Sequence, residues 1–257
     1  MKTVISTGKG GVGKTTTISS VATMMAREGR KVVVFDTDPS MNLAMTLGIP
    51  FMEIPTIADE RDEIGRELEE DGISEIGRKV IEEHSKVNAD GIRVVVMGAI
   101  EHGGGGCLCA PINLVKMLLN YLGSDRCEEK YDIAFVDSQA GPEILGRGLA
   151  REFDCNAVLT EPTPKSAEVS RQVVKMAKDL EVKNNLLIIN KSESEEDIKR
   201  MSSLVGLRPD EAVRIRYDRS VIQADRNGET LMDAYPESDA VKDLTAVKKK
   251  IEQIIGM

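Results

Sequence analysis

The sequence lacks long apolar runs, has only four cysteines, and carries more negative than positive charge. Each of these features excludes a class of protein. None of its apolar runs is long enough to cross a bilayer as a helix. The net charge of −9 disfavours indiscriminate binding to the phosphate backbone of DNA or RNA. The four cysteines do not form the disulfide framework of a small secreted domain, and the first residues lack a signal sequence. We therefore expect a cytoplasmic protein without nucleic-acid or membrane partners.

Short segments rich in valine and isoleucine alternate with amphipathic segments along the chain. Segments that are apolar on both faces are typical of buried parallel strands. Seven strands are predicted, at Thr3–Ser6, Lys31–Phe35, Ile92–Met97, Asp132–Val136, Ala157–Thr160, Leu186–Asn190 and Ala212–Arg216. Helices are predicted at Lys14–Arg27, Ile112–Leu122, Pro164–Leu180 and Asp239–Ile255. The alternation predicts an α/β fold, a doubly wound, mostly parallel sheet with helices on both faces.

No linker or internal repeat divides the sequence, so residues 1–257 are interpreted as one domain. Residues 59–90 are highly charged and have a helical pattern, which predicts a surface insertion. The last predicted helix carries an apolar stripe and could resemble a membrane anchor. We interpret the stripe as a face that packs on the sheet, because the helix lacks Trp and Phe and carries Glu252.

A glycine-rich segment follows the first strand and opens the first helix. It reads Gly8-Lys9-Gly10-Gly11-Val12-Gly13-Lys14-Thr15-Thr16 and satisfies the phosphate-loop pattern G-x-x-x-x-G-K-T. Its backbone N–H groups can surround phosphate oxygens because glycine has no Cβ, and the helix N-terminus adds positive potential. We expect Lys14 to reach the β- and γ-phosphates and Thr15 to place its hydroxyl on Mg²⁺. The segment therefore predicts a Mg²⁺-dependent nucleotide hydrolase.

Lys9, near the start of this loop, indicates a particular variant of the phosphate-loop motif. The segment from Lys9 to Thr16 resembles the deviant Walker A motif of the family that contains MinD, ParA, the nitrogenase iron protein and the CooC-type metallochaperones. In that family the extra lysine crosses a dimer interface to the phosphates bound by the partner. The resemblance implies a homodimer in which Lys9 neutralises transition-state charge, as an arginine finger does.

Two aspartate-containing segments follow strands, at the place where α/β proteins bind ligands. The residues Asp-Thr-Asp-Pro-Ser-Met-Asn from Asp36 resemble the switch I pattern D-x-D-P-x-x-N of this family. The resemblance implies that Asp38 orients the attacking water and that Asp36 supports the metal shell. The residues Asp-Ser-Gln-Ala-Gly from Asp137 resemble the Walker B and switch II segment. This implies that Asp137 holds Mg²⁺ through water and that the N–H of Gly141 is available to the γ-phosphate.

Recognition of the base depends on the segment that ends in Asn190 and Lys191. Leu-Ile-Ile-Asn-Lys resembles the strand that contacts adenine in the same family. A guanine-reading N-K-x-D pattern would need aspartate at the position occupied by Glu193. ATP is therefore favoured over GTP, and we predict that Asn190 and Lys191 bind the nucleotide.

Four glycines precede Cys107 and Cys109, so that the two thiols can face one point. Thiolates are soft ligands that suit Zn, Ni or Cu(I), but a structural zinc usually takes four ligands. A symmetric dimer would supply the other two, which predicts one Zn²⁺ or Ni²⁺ shared between two subunits. The alternative is a pair of buried structural cysteines. His102 is interpreted as a polar loop residue rather than as a further ligand.

The glycine-cysteine segment and the residues Ala-Gly-Pro-Glu-Ile-Leu-Gly-Arg-Gly from Ala140 resemble CooC-type ATPases. These proteins assist nickel insertion into carbon monoxide dehydrogenase, so the resemblance implies a metallochaperone whose client is that enzyme or another nickel enzyme, such as acetyl-CoA synthase. A spatial-organisation ATPase of the MinD or ParA type is the first alternative, disfavoured by the charge and by the last helix. An electron-transfer iron protein is the second, and it needs a cysteine shortly after switch II, where residues 137–148 contain none.

Overall fold

The computed structural model describes residues 1–50, 54–60, 63–64, 66–67, 73–98, 109–146 and 153–257. In this part of the chain one sheet contains β1 (Lys2–Gly8), β2 (Val32–Asp36), β3 (Ser85–Val87), β4 (Arg93–Val96), β5 (Ile133–Asp137), β6 (Cys155–Thr160), β7 (Asn185–Ser192) and β8 (Ala212–Arg216). The strand order is β3-β4-β2-β5-β1-β6-β7-β8. The paired strands are parallel except at the edge, where β3 runs antiparallel to β4.

Helices cover both faces of this sheet. They are α1 (Lys14–Arg27), α2 (Asn42–Thr46), α3 (Ile73–Glu83), α4 (Cys109–Gly123), α5 (Glu143–Gly146), α6 (Pro164–Asp179), α7 (Glu196–Val205), α8 (Arg219–Asn227), α9 (Leu231–Ala234) and α10 (Asp239–Ile255). A short 3₁₀ helix, Pro209–Glu211, precedes β8. Successive residues of β1, Val4 and Ile5, belong to two separate buried clusters, because neighbouring side chains of a strand point to opposite faces. The predicted doubly wound α/β fold is confirmed.

The carboxyl ends of the central strands meet at the point where the chain changes its direction of winding. The strand β1 lies between β5 and β6, and β2 lies on the far side of β5. Open α/β sheets bind their ligands at such a switch point, beyond the carboxyl ends of the strands. The loops that follow β1, β2 and β5 are therefore brought together by the topology.

The last helix packs on the sheet, as its apolar stripe predicts. Its apolar side chains are buried in one of the two clusters, at Leu244, Val247, Ile251 and Ile255. Lys248 is also buried and forms an ion pair with Glu28, the residue that follows α1. In the described part of the chain, no helix is long and apolar enough to span a bilayer.

The charged segment 59–90 contains α3 and the edge strand β3. The apolar side of α3 carries Ile76, Val80 and Ile81, which are buried in the same cluster as Leu118 of α4. Its polar side carries charged residues such as Arg78 and Glu82, which form an exposed pair. The segment therefore contributes to the core as well as to the surface. The strand β3 is absent from the strands that the sequence predicts.

Candidate nucleotide-binding site

The phosphate loop connects β1 to α1, and its conformation requires glycine at two positions. Gly8 has φ 139°, and a Cβ placed on it would lie 2.2 Å from the carbonyl oxygen of Leu159. Gly13 has φ 94°, and a Cβ there would lie 2.3 Å from Nδ2 of Asn190. Neither position accommodates a side chain without displacing its neighbour, and both φ values favour glycine. The loop is thus held in a compact shape whose backbone can approach a ligand closely.

Lys14, the first residue of α1, is 7% exposed. Its Nζ lies 3.5 Å from the carbonyl oxygen of Lys9. Burial lowers the pKa of Lys14, and the neighbouring carboxylates of Asp137 and Asp38 oppose this shift. A partly desolvated ammonium beside the N-terminus of a helix is well placed to bind an anion such as a phosphate.

Asp137 ends β5 directly beside the phosphate loop and is 1% exposed. Its Oδ2 accepts a hydrogen bond from Oγ1 of Thr15 at 2.5 Å, and its Oδ1 accepts one from Oγ of Ser6 at 2.8 Å. Both carboxylate oxygens are therefore fixed in direction. The contribution of Ser6 is missed by the sequence analysis, and the only signal for it is a hydroxyl at the end of an otherwise apolar run.

Asp36 ends β2 and is paired in register with Asp137 on the neighbouring strand. It is fully buried and accepts hydrogen bonds from the backbone N–H groups of Asp38 at 3.1 Å and of Leu43 at 2.9 Å. Burial, followed by the nearby charge of Asp137, raises the pKa of Asp36 to about 7. Burial likewise raises the pKa of Asp137.

In Asp137 the Lys14 ammonium and the hydroxyl groups of Thr15 and Ser6 oppose the rise in pKa but do not cancel it. A divalent cation beside the carboxylates would favour their ionised forms. The donors available are carboxylate and hydroxyl oxygens, which suit Mg²⁺. Thr15 and Asp137 are in direct contact, and Asp36 is paired with Asp137 on the next strand. Their role as a magnesium site stays a prediction.

The two switch segments contribute further groups. Asp38 is half-buried, lines the cavity beside the phosphate loop, and accepts a hydrogen bond from the backbone N–H of Ser40 at 2.9 Å. The N–H of Gly141 donates to the carbonyl oxygen of Gly8 at 2.9 Å. This N–H must therefore exchange an internal partner for the γ-phosphate if it is to act as the sequence predicts.

The residues predicted to read the base brace the phosphate loop. Asn190 donates from Nδ2 to the carbonyl oxygen of Val12 at 2.8 Å. Lys191 donates from Nζ to the carbonyl oxygen of Gly11 at 3.0 Å and to Glu161 at 2.6 Å. Their contact with adenine stays a prediction. The amide of Asn190 has a second N–H that is available for such a contact.

A cavity of about 790 Å³ opens along the phosphate loop. Its lining includes the loop residues Gly10, Gly11, Gly13, Lys14, Thr15 and Thr16. Asp38 and Gln139 line it from the two switch segments, and α8 and α9 contribute the far wall. The volume lies within the range of small-molecule and cofactor sites.

Lys9 differs from Lys14 in its surroundings. Its side chain is only partly buried, and its ammonium makes no hydrogen bond or ion pair with the residues that the structure describes. The arrangement leaves the ammonium accessible to a second molecule. Its role across a dimer interface stays a prediction.

The predicted cysteine pair falls partly outside the described part of the chain. Cys107 and His102 lie outside the described residues, and Cys109 is placed as the first residue of α4. The other two cysteines are buried: Cys127 donates to the carbonyl oxygen of Glu129, and burial raises the pKa of Cys155 to about 12. A thiol of such high pKa is not readily available as a thiolate ligand.

Comparison with known proteins extends these observations. Residues 3–231 match the family described as the CobQ/CobB/MinD/ParA nucleotide binding domain. The carbon monoxide dehydrogenase accessory protein CooC of Rhodospirillum rubrum is 31% identical over 245 residues, which cover 90% of this chain and 89% of that protein. The cell division ATPase MinD of Pyrococcus furiosus aligns with a TM-score of 0.74 at 20% identity, covering 99% of this chain and 100% of that chain. MinD of Pyrococcus horikoshii, complexed with Mg-ADP, aligns with a TM-score of 0.72 at 20% identity, covering 100% and 98%.

Proposed function

Because the chain belongs to the CobQ/CobB/MinD/ParA family of nucleotide-binding proteins, we propose that it is an ATP-dependent metallochaperone. It hydrolyses ATP with Mg²⁺, forms a homodimer in the ATP-bound state, and assists nickel insertion into carbon monoxide dehydrogenase or a related nickel enzyme. The client is proposed from the similarity to CooC, which extends along nine-tenths of the chain.

One observation carries the nucleotide half of this proposal. The phosphate loop places Thr15 in hydrogen-bond contact with Asp137, and Asp36 is aligned with Asp137 on the next strand. Two buried carboxylates next to one buried lysine form a site that a divalent cation and a polyphosphate would complete.

The residues of the chain have separable roles in hydrolysis. Lys14 and the loop N–H groups bind and orient the phosphates, and they withdraw charge from the γ-phosphate as the bond to the leaving oxygen breaks. Asp38 orients the attacking water. Thr15 and Asp137 would hold Mg²⁺, and the ion would neutralise negative charge on the phosphates.

Lys9 completes the site of the partner subunit. Its accessible ammonium reaches the phosphates across a twofold interface and adds positive charge where it develops in the transition state. Neither subunit then has the full set of cations by itself, so turnover depends on dimerisation.

The metal half of the proposal rests on Cys107 and Cys109, which the sequence places in one short glycine-rich segment. Two such segments from a symmetric dimer offer four thiolates to a single Zn²⁺ or Ni²⁺. Metal and ATP each favour the dimer, so each should raise the affinity of the protein for the other.

A titration of the full chain with Zn²⁺ and with Ni²⁺ tests this half, with and without a non-hydrolysable ATP analogue. We expect the ATP analogue to tighten binding of one shared ion per dimer in the wild type, and we expect this linked ion to be lost in C107A/C109A. The substitution Cys127→Ala is the matched control, since that thiol is buried in the monomer. Nucleotide-linked metal binding that survives C107A/C109A would contradict the shared site and leave the ATPase proposal standing.

A further inference from the structure

A histidine and two glutamates come together near the edge of the sheet, away from the nucleotide cavity. Glu60, Glu83 and His84 each offer one ligand atom, and these atoms lie within 4.8 Å of one another. Glu83 ends α3, and His84 links that helix to the edge strand β3. The carboxyl end of a helix also favours a cation, because the helix dipole is negative there. Nothing in the phosphate-loop chemistry uses these groups.

The imidazole of His84 is fixed in position. The residue is 1% exposed, and its backbone N–H donates to the carbonyl oxygen of Val80 at 2.8 Å. Its ring Nδ1 lies 3.2 Å from the carbonyl oxygen of Pro55. A carbonyl oxygen only accepts, so Nδ1 donates to it, and Nε2 is the ring nitrogen left to face the carboxylates. Metal-binding histidines are commonly oriented in this way by a hydrogen bond from their second nitrogen.

The second ring nitrogen points at the carboxylates but forms no hydrogen bond. Nε2 of His84 is buried and unpartnered, although it lies 3.3 Å from Oε2 of Glu60. Such a separation is close to the edge of about 3.4 Å between ligand atoms in a tetrahedron with metal–ligand bonds of roughly 2.1 Å. A buried polar atom without a hydrogen-bond partner is costly, and a cation bound by Nε2 and the carboxylates would remove that cost.

The two carboxylates approach from different elements. The backbone of Glu60 is anchored because its carbonyl oxygen accepts hydrogen bonds from the N–H groups of Glu63 and Ile64, both at 3.0 Å. The backbone of Glu83 is fixed because this residue is the last of α3. Both glutamates are exposed, so an ion can enter from solvent and water can complete its coordination.

We propose that Glu60, Glu83 and His84 bind a divalent transition-metal ion with a preference for mixed nitrogen and oxygen donors, such as Zn²⁺ or Ni²⁺. One imidazole and two carboxylates suit these ions better than Mg²⁺ or Ca²⁺, which take oxygen ligands. The site is complete within one subunit. It therefore does not depend on the cysteine pair, on ATP or on dimerisation.

The test uses the full-length C107A/C109A protein without nucleotide and with excess Mg²⁺, which competes for the carboxylates of the nucleotide site. Zn²⁺ is titrated against a chromophoric chelator, and the retained metal is counted by mass spectrometry. We expect one ion per chain. E60Q and E83Q should each weaken it by at least about tenfold, the smaller effect known for residues that merely support a ligand. E82Q, a neighbouring exposed glutamate paired with Arg78, is the control and should change nothing.

The histidine gives a spectroscopic signature. The chain has two histidines, so X-ray absorption of the Ni²⁺-loaded protein should reveal a single imidazole that disappears in H84Q and persists in H102Q. Since His84 is buried and H84Q can destabilise the fold, the exposed substitutions E60Q and E83Q keep the test independent of folding. Absence of a retained ion in C107A/C109A, or an ion insensitive to both glutamate substitutions, would overturn the proposal. Loss of stability in E60Q without metal binding would identify a His84–Glu60 ion pair instead.

Discussion

The centre of the sheet and its β3 edge both gather carboxylates, but they hold them differently. At the centre, both oxygens of Asp137 accept hydrogen bonds from hydroxyl groups, and Asp36 accepts two from the backbone. At the edge, only the imidazole of His84 is buried, and its two glutamates are exposed. A preorganised site loses little conformational freedom when it binds, whereas the edge must order two long side chains. The central carboxylates are therefore preorganised, whereas binding at the edge includes the cost of ordering side chains.

The largest effect should follow from Lys14→Ala. The phosphates lose their principal point charge, so ATP binding or hydrolysis should fall below detection in an assay with Mg²⁺. Zn²⁺ binding at the edge should be unchanged, because the two regions share no residue. Lys165→Ala, an exposed lysine at the start of α6, is the matched control. Hydrolysis at the wild-type rate in Lys14→Ala would remove this lysine from the site.

A smaller but still large effect should follow from Lys9→Ala. If Lys9 acts only across the interface, a monomer should bind nucleotide normally, while turnover falls by about 10³-fold or more, as for loss of an arginine finger. Analytical ultracentrifugation with a non-hydrolysable ATP analogue should reveal a weakened dimer. An undiminished ATP-dependent dimer with normal turnover would make Lys9 a surface lysine.

Asp38→Asn should separate binding from chemistry within the centre. The amide cannot take up or direct a proton as the carboxylate does, so hydrolysis should slow by about 10²–10⁴-fold while ATP binding remains. Rapid-quench hydrolysis and equilibrium nucleotide binding measure the two quantities separately. A mutant that retains most of its turnover would count against Asp38 as the residue that directs the water.

The centre of the sheet and its β3 edge also differ in how far the sequence predicts them. The placing of the central carboxylates was predictable because Asp36 and Asp137 lie at the ends of apolar runs, and parallel strands bring those ends together. Their roles are predicted from the resemblance to the switch segments and stay predictions. The edge strand β3 was missed because Ser85–Val87 is too short and too polar to form an apolar pattern. His84 and Glu60 are 24 positions apart with no motif between them, so only the packing of α3 brings them together.

The smallest effect concerns pH, and it applies to the centre alone. An aspartate with an ordinary pKa near 4 binds no proton at pH 6 when the chain is unfolded, whereas the raised pKa of Asp36, about 7, keeps it protonated in the folded chain. The folded state therefore binds more protons between about pH 4 and 7, and the free energy of unfolding should fall as the pH rises through this range. From pH 6 to pH 8 one such group contributes a loss of about 1 kcal/mol. Urea unfolding of the protein without Mg²⁺ or nucleotide, at these two pH values, measures this loss.

Asp36→Asn should remove most of the difference in unfolding free energy between pH 6 and pH 8, and Asp210→Asn, at an exposed position, should not. Addition of Mg-ADP should also reduce the difference, because the cation offsets the charge of the ionised carboxylates. Equal pH dependence in the wild type and in Asp36→Asn would mean that Asp36 is already ionised at pH 6, and that the central carboxylates are compensated without a cation.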